Sequence, residues 1–170
     1  MQQEQVILVN ESDEPIGEME KMLAHEQGVL HRAFSVFIFN AKGEVLLQQR
    51  ALSKYHSPGL WTNTCCSHPR PGETTEQAAH RRLKEEMGFD CTLQHKFSFI
   101  YKVQFDNGLY EHELDHVYTG VYEEEPSINP DEVNTFKWMK WEQLLEDVNK
   151  NMADYTFWLR QILEQHQRIV

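Results

Sequence analysis

Two stretches of the chain gather side chains that can move protons or hold cations. In Trp61-Thr62-Asn63-Thr64-Cys65-Cys66-Ser67-His68-Pro69, thiols stand beside an imidazole, and a thiol so placed can act as a nucleophile, a ligand or a proton donor. Farther on, Glu111 and Glu113 flank His112. On a strand, residues two apart share a face, so both carboxylates point one way and His112 the other. Like charges that close repel unless a cation or proton relieves them, which favours a metal. Nine histidines is a high number for 170 residues, and His25, His31 and His68 fall in loops or at strand edges rather than at periodic positions. Together with Glu111 and Glu113 they form a set of three nitrogen and two oxygen donors, suited to Zn2+, Mn2+ or Mg2+. His80, His95, His112, His116 and His166 read as solvated or hydrogen-bonded side chains.

These groups need elements to position them. Thr74 with Gln77 is a capping-box pattern, and Ala79, Leu83 and Met87 recur at four-residue steps before Gly88, which predicts a helix with one buried face. Arg81 with Glu85 and Arg82 with Glu86 are i,i+4 pairs on it; taken alone they are surface salt bridges worth roughly 0.2–0.5 kcal/mol each. From Cys91 to Tyr122 the period changes to two, with Phe97, Phe99, Tyr101, Val103 and Phe105 alternating with mostly polar neighbours. A three-residue loop Asp106-Asn107-Gly108 would pair Phe105 with Leu109, Val103 with Glu111 and Tyr101 with Glu113, bringing the Tyr101 phenol to the carboxylate face; a bulge would shift that register.

Val6 to Val9 reads as a strand, followed by a turn over Asn10 to Gly17. Arg32 to Phe39 and Val45 to Gln49, around Asn40-Ala41-Lys42-Gly43, read as a β-hairpin. Thr135 to Trp141 gives a last strand, with helical segments around Glu142 to Lys150 and Asp154 to Arg168. The order predicts an α/β fold, an α/β/α sandwich around a mixed β-sheet, in one domain over residues 1–170.

Composition narrows the partners. With 40% hydrophobic and 25% charged residues the chain suits a soluble globule. A net charge of −11 disfavours nucleic acid and anionic membrane, so any phosphate site must be a local basic cluster. Three cysteines make no disulfide framework, the start Met-Gln-Gln-Glu-Gln has no basic stretch before an apolar run, and no run approaches a membrane span. A reduced, cytoplasmic protein is expected.

The run Gly72 to Phe89 resembles the tail of a Nudix box at Glu73, Arg81, Leu83, Glu85, Glu86, Gly88 and Phe89. It departs at Ser67, where the box opens with Gly, and at Arg82, where a Nudix hydrolase has Glu. Joined to Arg50-Ala51-Leu52-Ser53-Lys54, to Trp61-Thr62-Asn63 leading into Cys66-Ser67-His68-Pro69, and to Glu111-His112-Glu113, the altered helix resembles the type I isopentenyl-diphosphate isomerases, over roughly Val6 to Trp158. The resemblance implies a Nudix-like isomerase domain that carries out a step of isoprenoid biosynthesis. It matches Cys66 to the family's catalytic thiol, Glu113 to the catalytic carboxylate that also binds metal, and Tyr101 to its active-site phenol. His25, His31, His68, Glu111 and Glu113 match the metal ligands, and Lys21, Arg50, Lys54 and Arg82 the cations that bind diphosphate. Glu86 matches the carboxylate near a diphosphate-bound Mg2+, and Trp158 the aromatic facing the substrate. Without the resemblance Cys66 reads as a small buried residue and Trp158 as core. With the resemblance, the family's spacing to His68 favours Cys66 as the acting thiol and leaves Cys65 a small buried hydrophobe, and Ser67, where relatives commonly have Gly, is expected to bear on the local turn.

The implied reaction is a reversible 1,3-allylic proton shift between isopentenyl and dimethylallyl diphosphate, through a carbocation-like state. An N-terminal segment carrying Lys21 and His25 would close over it. Two other functions compete. A Nudix hydrolase of a diphosphate would need the Glu that Arg82 replaces, and a non-catalytic metal- or diphosphate-binding module would not need Cys66.

Overall fold

The computed structural model describes residues 3–166 and residue 169. Among them nine strands form one mixed sheet. In chain order the elements are β1 (Gln5–Val9), β2 (Pro15–Glu20), α1 (Lys21–Gln27), β3 (His31–Phe39), β4 (Glu44–Arg50), β5 (Trp61–Thr62), β6 (Cys65–Ser67), α2 (Thr75–Met87), β7 (Leu93–Gln104), β8 (Tyr110–Val121), β9 (Val133–Lys140), α3 (Trp141–Lys150) and α4 (Phe157–Gln165).

The alternation of β3 sets the layers. Phe34, Val36 and Ile38 pack with Ala78, Ala79, Leu83 and Met87 of α2. Phe37 and Phe39 turn the other way, onto Leu144 and Val148 of α3 and Leu159 and Ile162 of α4. Both faces of β3 are therefore apolar, as a strand covered on both sides requires. The expected α/β/α sandwich is present.

The long hairpin folds as its sequence predicts. Tyr101 pairs with Glu113 and Val103 with Glu111, Phe105 N donates to Leu109 O at 2.8 Å, and Gly108 takes φ 85° in the loop. An irregularity between His95 and Phe97 lies beyond the site. Helix α2 carries the full capping box of Thr74 and Gln77. At its end Gly88 (φ 74°) admits no side chain, since a Cβ there would meet Ser127 O at 2.3 Å.

Four expectations need correction. The hairpin over Asn40 to Gly43 closes but joins its strands only at Phe39 and Val45, because β6 takes the edge of β3 while β4 pairs with β5 and β9. The turn assigned to Asn10–Gly17 ends earlier, and Pro15 to Glu20 forms the edge strand β2. His25 lies in no loop but on α1, a helix of seven residues and so too short to show a period. The last helix starts at Phe157, not Asp154, because Tyr155 and Thr156 are held extended against Trp61; its expected end at Arg168 lies outside the described residues. No helix among the described residues is long and apolar enough to cross a membrane.

Candidate active site

The split between β3 and β4 builds the thiol's position. Thr64 fills the gap with its hydroxyl, which accepts from Ile38 N at 2.9 Å and donates to Leu46 O at 2.6 Å. Asn63 Nδ2 donates to Val36 O and Cys65 O, and Gln48 Nε2 to Thr64 O. The polar segment before the cysteines thus replaces missing ladder bonds, which buried backbone groups require. It holds β6 antiparallel to β3 with Cys65 opposite Val36 and Cys66 opposite Ser35. Adjacent strand residues face opposite ways. Cys65 therefore enters the core beneath α2, while Cys66 lines a cleft on the other face. Burial pushes the Cys66 thiol up to about 12 against the opposing pull of Arg50, so it is protonated at neutral pH. Ser67 pairs with Phe34 in extended backbone and is not among the residues at positive φ; the substitution for Gly alters no turn.

The histidines and carboxylates converge from four segments. β8 runs parallel to β3 with Glu113 beside His31, and β6 delivers His68 just past its end. Helix α1 supplies His25. It is capped by Glu20, whose carboxylate accepts from Met22 N and Leu23 N, and ended by Gly28 at φ 68°, where a Cβ would meet the Tyr110 ring at 3.0 Å. One ligand atom from each of His25, His31, His68, Glu111 and Glu113 lies within 4.8 Å of all the others, and all five residues are buried. Donors on opposite sides of a cation at ~2.1 Å stand about 4.2 Å apart, so the set has the right size.

Its electronic state also fits. His25 Nδ1 lies 2.6 Å from Lys21 O and His31 Nδ1 2.9 Å from Val29 O, bonds that fix the proton on Nδ1 and turn Nε2 inward. The Nε2 atoms of His25, His31 and His68 and Oε2 of Glu111 find no hydrogen-bond partner in the protein. Burial, with charged neighbours, pushes His31 and His68 down to about 3, so both are neutral and able to ligate. Burial would raise Glu111, but His25 and His56 outweigh it and hold the carboxyl well below the usual range. His112 faces away and reaches Gly28 O at 2.9 Å.

The cations line the same cleft, with Lys54 and Arg82 meeting at Glu132 and Lys21 on α1 four residues from His25. Lys21 Nζ sits 3.1 Å from Glu4, Lys54 pairs with Glu132, and Arg82 Nη2 lies 2.7 Å from Glu86 Oε1 and 3.2 Å from Glu132 Oε2. Arg50 is buried, its guanidinium 5.2 Å from the Trp158 ring centroid. That ring face already receives a positive charge. Glu86, only 3% exposed, also accepts from Gln48 Nε2 at 3.1 Å. The i,i+4 reading holds for Arg81 and Glu85 at 3.4 Å, although Arg81 makes its closer bonds to Glu73.

Eleven of the side chains singled out from sequence border one cleft: Cys66, Tyr101, Glu111, Glu113, His68, Lys21, Arg50, Lys54, Arg82, Glu86 and Trp158. The space within it, open mouth included, is about 600 Å³. His25 and His31 are fully buried and reach it only through the cluster. Further residues line it without having been anticipated, among them the titratable side chains of Glu4, Tyr55, His56, Asp115 and Glu132. Asp115 was within reach, because the period of two that pairs Glu111 with Glu113 extends to it. Burial raises its carboxyl to about 7 against the Ser35 hydroxyl that donates to it. Glu4, His56 and Glu132 sit in or beside loops, with no periodic signal.

The NUDIX domain model matches residues 29–159. Isopentenyl-diphosphate Delta-isomerase 2 of Aromatoleum aromaticum is 51% identical over 163 residues, covering 96% of this chain and 86% of that protein. The isopentenyl-diphosphate Delta-isomerase of Pectobacterium atrosepticum is 53% identical over 156 residues, covering 92% and 87%. The chain belongs to the isopentenyl-diphosphate Delta-isomerase family and carries a Nudix domain. Among solved structures, DR0079 from Deinococcus radiodurans superposes with a TM-score of 0.80 at 23% identity, covering 97% of this chain and all of that one. A MutT protein from Methanosarcina mazei gives 0.68 at 18% identity, covering 82% and 94%. Those likenesses carry the Nudix fold alone. Membership in the isomerase family is that of an enzyme and implies a divalent metal, for which the His/Glu cluster is suited.

Proposed function

We propose that the chain, acting as one domain over residues 1–170, interconverts isopentenyl and dimethylallyl diphosphate by a 1,3-allylic proton shift. The observation that carries this reading is the layout of the cleft. Cys66 and Glu113 come from strands on the two sides of β3, and both line a cleft that also carries Lys21, Arg50, Lys54 and Arg82. The diphosphate is anchored there by charge-assisted bonds while the hydrocarbon tail lies between thiol and carboxylate.

One group gives a proton to the terminal methylene carbon, leaving a tertiary cationic centre. The other removes a proton from the carbon between that centre and the oxygen-bearing carbon, and the double bond forms there. No electrons are gained or lost. A thiol that burial pushes up to about 12 is an even weaker acid than an ordinary one and cannot make such a cation unaided, so stabilisation must accompany transfer. The face of Trp158 that Arg50 leaves free would offer on the order of 1–2 kcal/mol when desolvated. Tyr101, whose hydroxyl burial and Glu111 push well above its usual range, stays a neutral phenol and adds a polar edge beside Glu113. Lys21 and His25 on α1 close this side of the site and help exclude water that would trap the cation as an alcohol.

His25, His31, His68, Glu111 and Glu113 would hold one divalent ion, Zn2+, Mn2+ or Mg2+, and Glu86 would serve a Mg2+ on the diphosphate. Such ions supply fixed positive charge that lets two buried carboxylates stay ionised and neutralises the anionic substrate. Arg82 stands where a hydrolase has Glu and grips the diphosphate instead of helping water attack it. The three thiols are free, in keeping with a reduced, cytoplasmic setting.

Incubation with isopentenyl diphosphate and Mg2+ in deuterated water tests the reading. Deuterium in a dimethylallyl product is expected. Release of inorganic phosphate would establish a hydrolase, and neither outcome a binding module; each would overturn the proposal.

A further inference from the structure

His56 is not one of the five converging donors, yet its Nε2 rests directly on Glu111 Oε1, the oxygen that His25 Nε2 approaches to 3.4 Å. The residue is 4% exposed and its ring is fixed on several sides. It stacks on Phe105 with centroids 4.9 Å apart and 13° between planes, and meets Trp158 edge-on at 5.7 Å. The backbone is held as well: His56 O accepts from Arg50 Nη2 at 3.3 Å, and Tyr55 O from Asn107 Nδ2 at 3.0 Å, at the tip of the β7–β8 hairpin. Such fixing commits Nε2 to one place. It has Glu111 as its partner.

The chemistry of the cluster says why a donor is needed there. Imidazoles that ligate a cation offer it lone pairs, so the Nε2 atoms of His25, His31 and His68 have no proton for a carboxylate. The Nδ1 protons of His25 and His31 are occupied by backbone carbonyls. Glu111, buried and with Oε2 unpartnered, then needs an N–H from outside the ligand set to fix its rotation. Among the described residues His56 is the imidazole that makes this contact without belonging to the cluster.

We propose that His56 is a positioning residue: by donating to Oε1 it sets the Glu111 carboxylate for metal ligation, and through its stack with Phe105 and edge on Trp158 it ties that ligand to the aromatic wall of the cleft. This rests on the cluster being a metal site. Outer-shell partners of this kind change metal affinity by about 10- to 100-fold when removed. The expected loss separates donor from ring, because Phe keeps the stack and Gln keeps an N–H at a similar reach.

The test is titration of the metal-stripped protein with Mn2+, following free aqueous Mn2+ by EPR, with the thermal midpoint of each metal-free variant as a folding control. His56→Phe is expected to fold like the parent and bind Mn2+ about 10- to 100-fold more weakly, and His56→Gln to regain most of the loss. Undiminished affinity in His56→Phe, or no recovery in His56→Gln, would overturn the role of the donor. Failure of the underlying metal reading looks different: the parent would bind no Mn2+, or His31→Ala would bind it unchanged.

Discussion

The two ends of the cleft treat charge in opposite ways. At the histidine end, inward-facing atoms of His25, His31, His68 and Glu111 have no hydrogen-bond partner in the protein, and backbone carbonyls fix the rings of His25 and His31. At the cation end Lys54 faces Glu132, and Arg82 faces Glu86 and Glu132, while Lys21, on the helix of His25, is likewise paired with Glu4. Buried lone pairs that converge carry an energetic penalty unless a cation joins them. Cations already paired at a cleft mouth hold their shape and exchange partners when an anion arrives. The first region is preorganised, the second is adaptable, and the reacting carbons must lie between them.

Removing Glu113 strikes the junction of the two and has the largest expected effect. Glu113→Gln takes away both a ligand and a proton-transfer group, so turnover should fall by about 10⁴ or more, at the upper end of acid–base contributions; retention of more than a tenth of the rate would separate Glu113 from the chemistry. At the cation end, Arg82→Glu should lower kcat/KM by roughly 30- to 150-fold, the equivalent of about 2–3 kcal/mol for bonds to a charged group. Unchanged affinity for isopentenyl diphosphate in that variant would show that the diphosphate sits elsewhere.

Acid should distinguish the ends in the metal-free protein. His31 and His68 titrate at about 3 when folded against ~6.5 when unfolded, so the unfolded chain binds more protons in that window. Stability therefore falls as pH drops below about 6.5. His25, raised by Glu111 once burial is overcome, opposes this but is a single group against two. Among the paired carboxylates, burial would raise Glu4 and Glu132, but Lys21 holds the first low and Lys54 with Arg82 the second. Their contribution is present above the ordinary glutamate value of about 4.3 and lost only as pH falls below it. Thermal midpoints of metal-free His31→Asn should thus vary less than the parent's between pH 6.5 and 4.5; an equal slope would contradict the assignment. The smallest effect is expected at Ser67, which lines the cleft between Cys66 and His68 in extended backbone. Ser67→Gly should cost about 0.5–1 kcal/mol of stability, as Gly does in a strand, with activity within twofold by steady-state assay.

Much of this was legible in the sequence where periodicity is long. The hairpin register that sets Tyr101 beside Glu113, and the capping box and four-residue steps of α2, follow from local rules that tertiary packing did not override. The missed pieces are short or non-local. Helix α1 has seven residues, β6 has three and displaces a hairpin partner, and Glu132 reaches Arg82 only because the chain crosses the end of α2 beside Gly88. His56 has no period at all. Asp115 was readable from the same alternation that revealed Glu111 and Glu113.

The register of β6 makes the sharpest claim: neighbouring thiols, one sent into the core and one into the cleft. Deuterium incorporation into dimethylallyl diphosphate, measured for Cys65→Ala and Cys66→Ala in deuterated water, tests it directly. The expected result is exchange retained in Cys65→Ala, with lowered stability, and abolished in Cys66→Ala with its fold intact. Exchange that survives loss of Cys66, or disappears only with loss of Cys65, would contradict it.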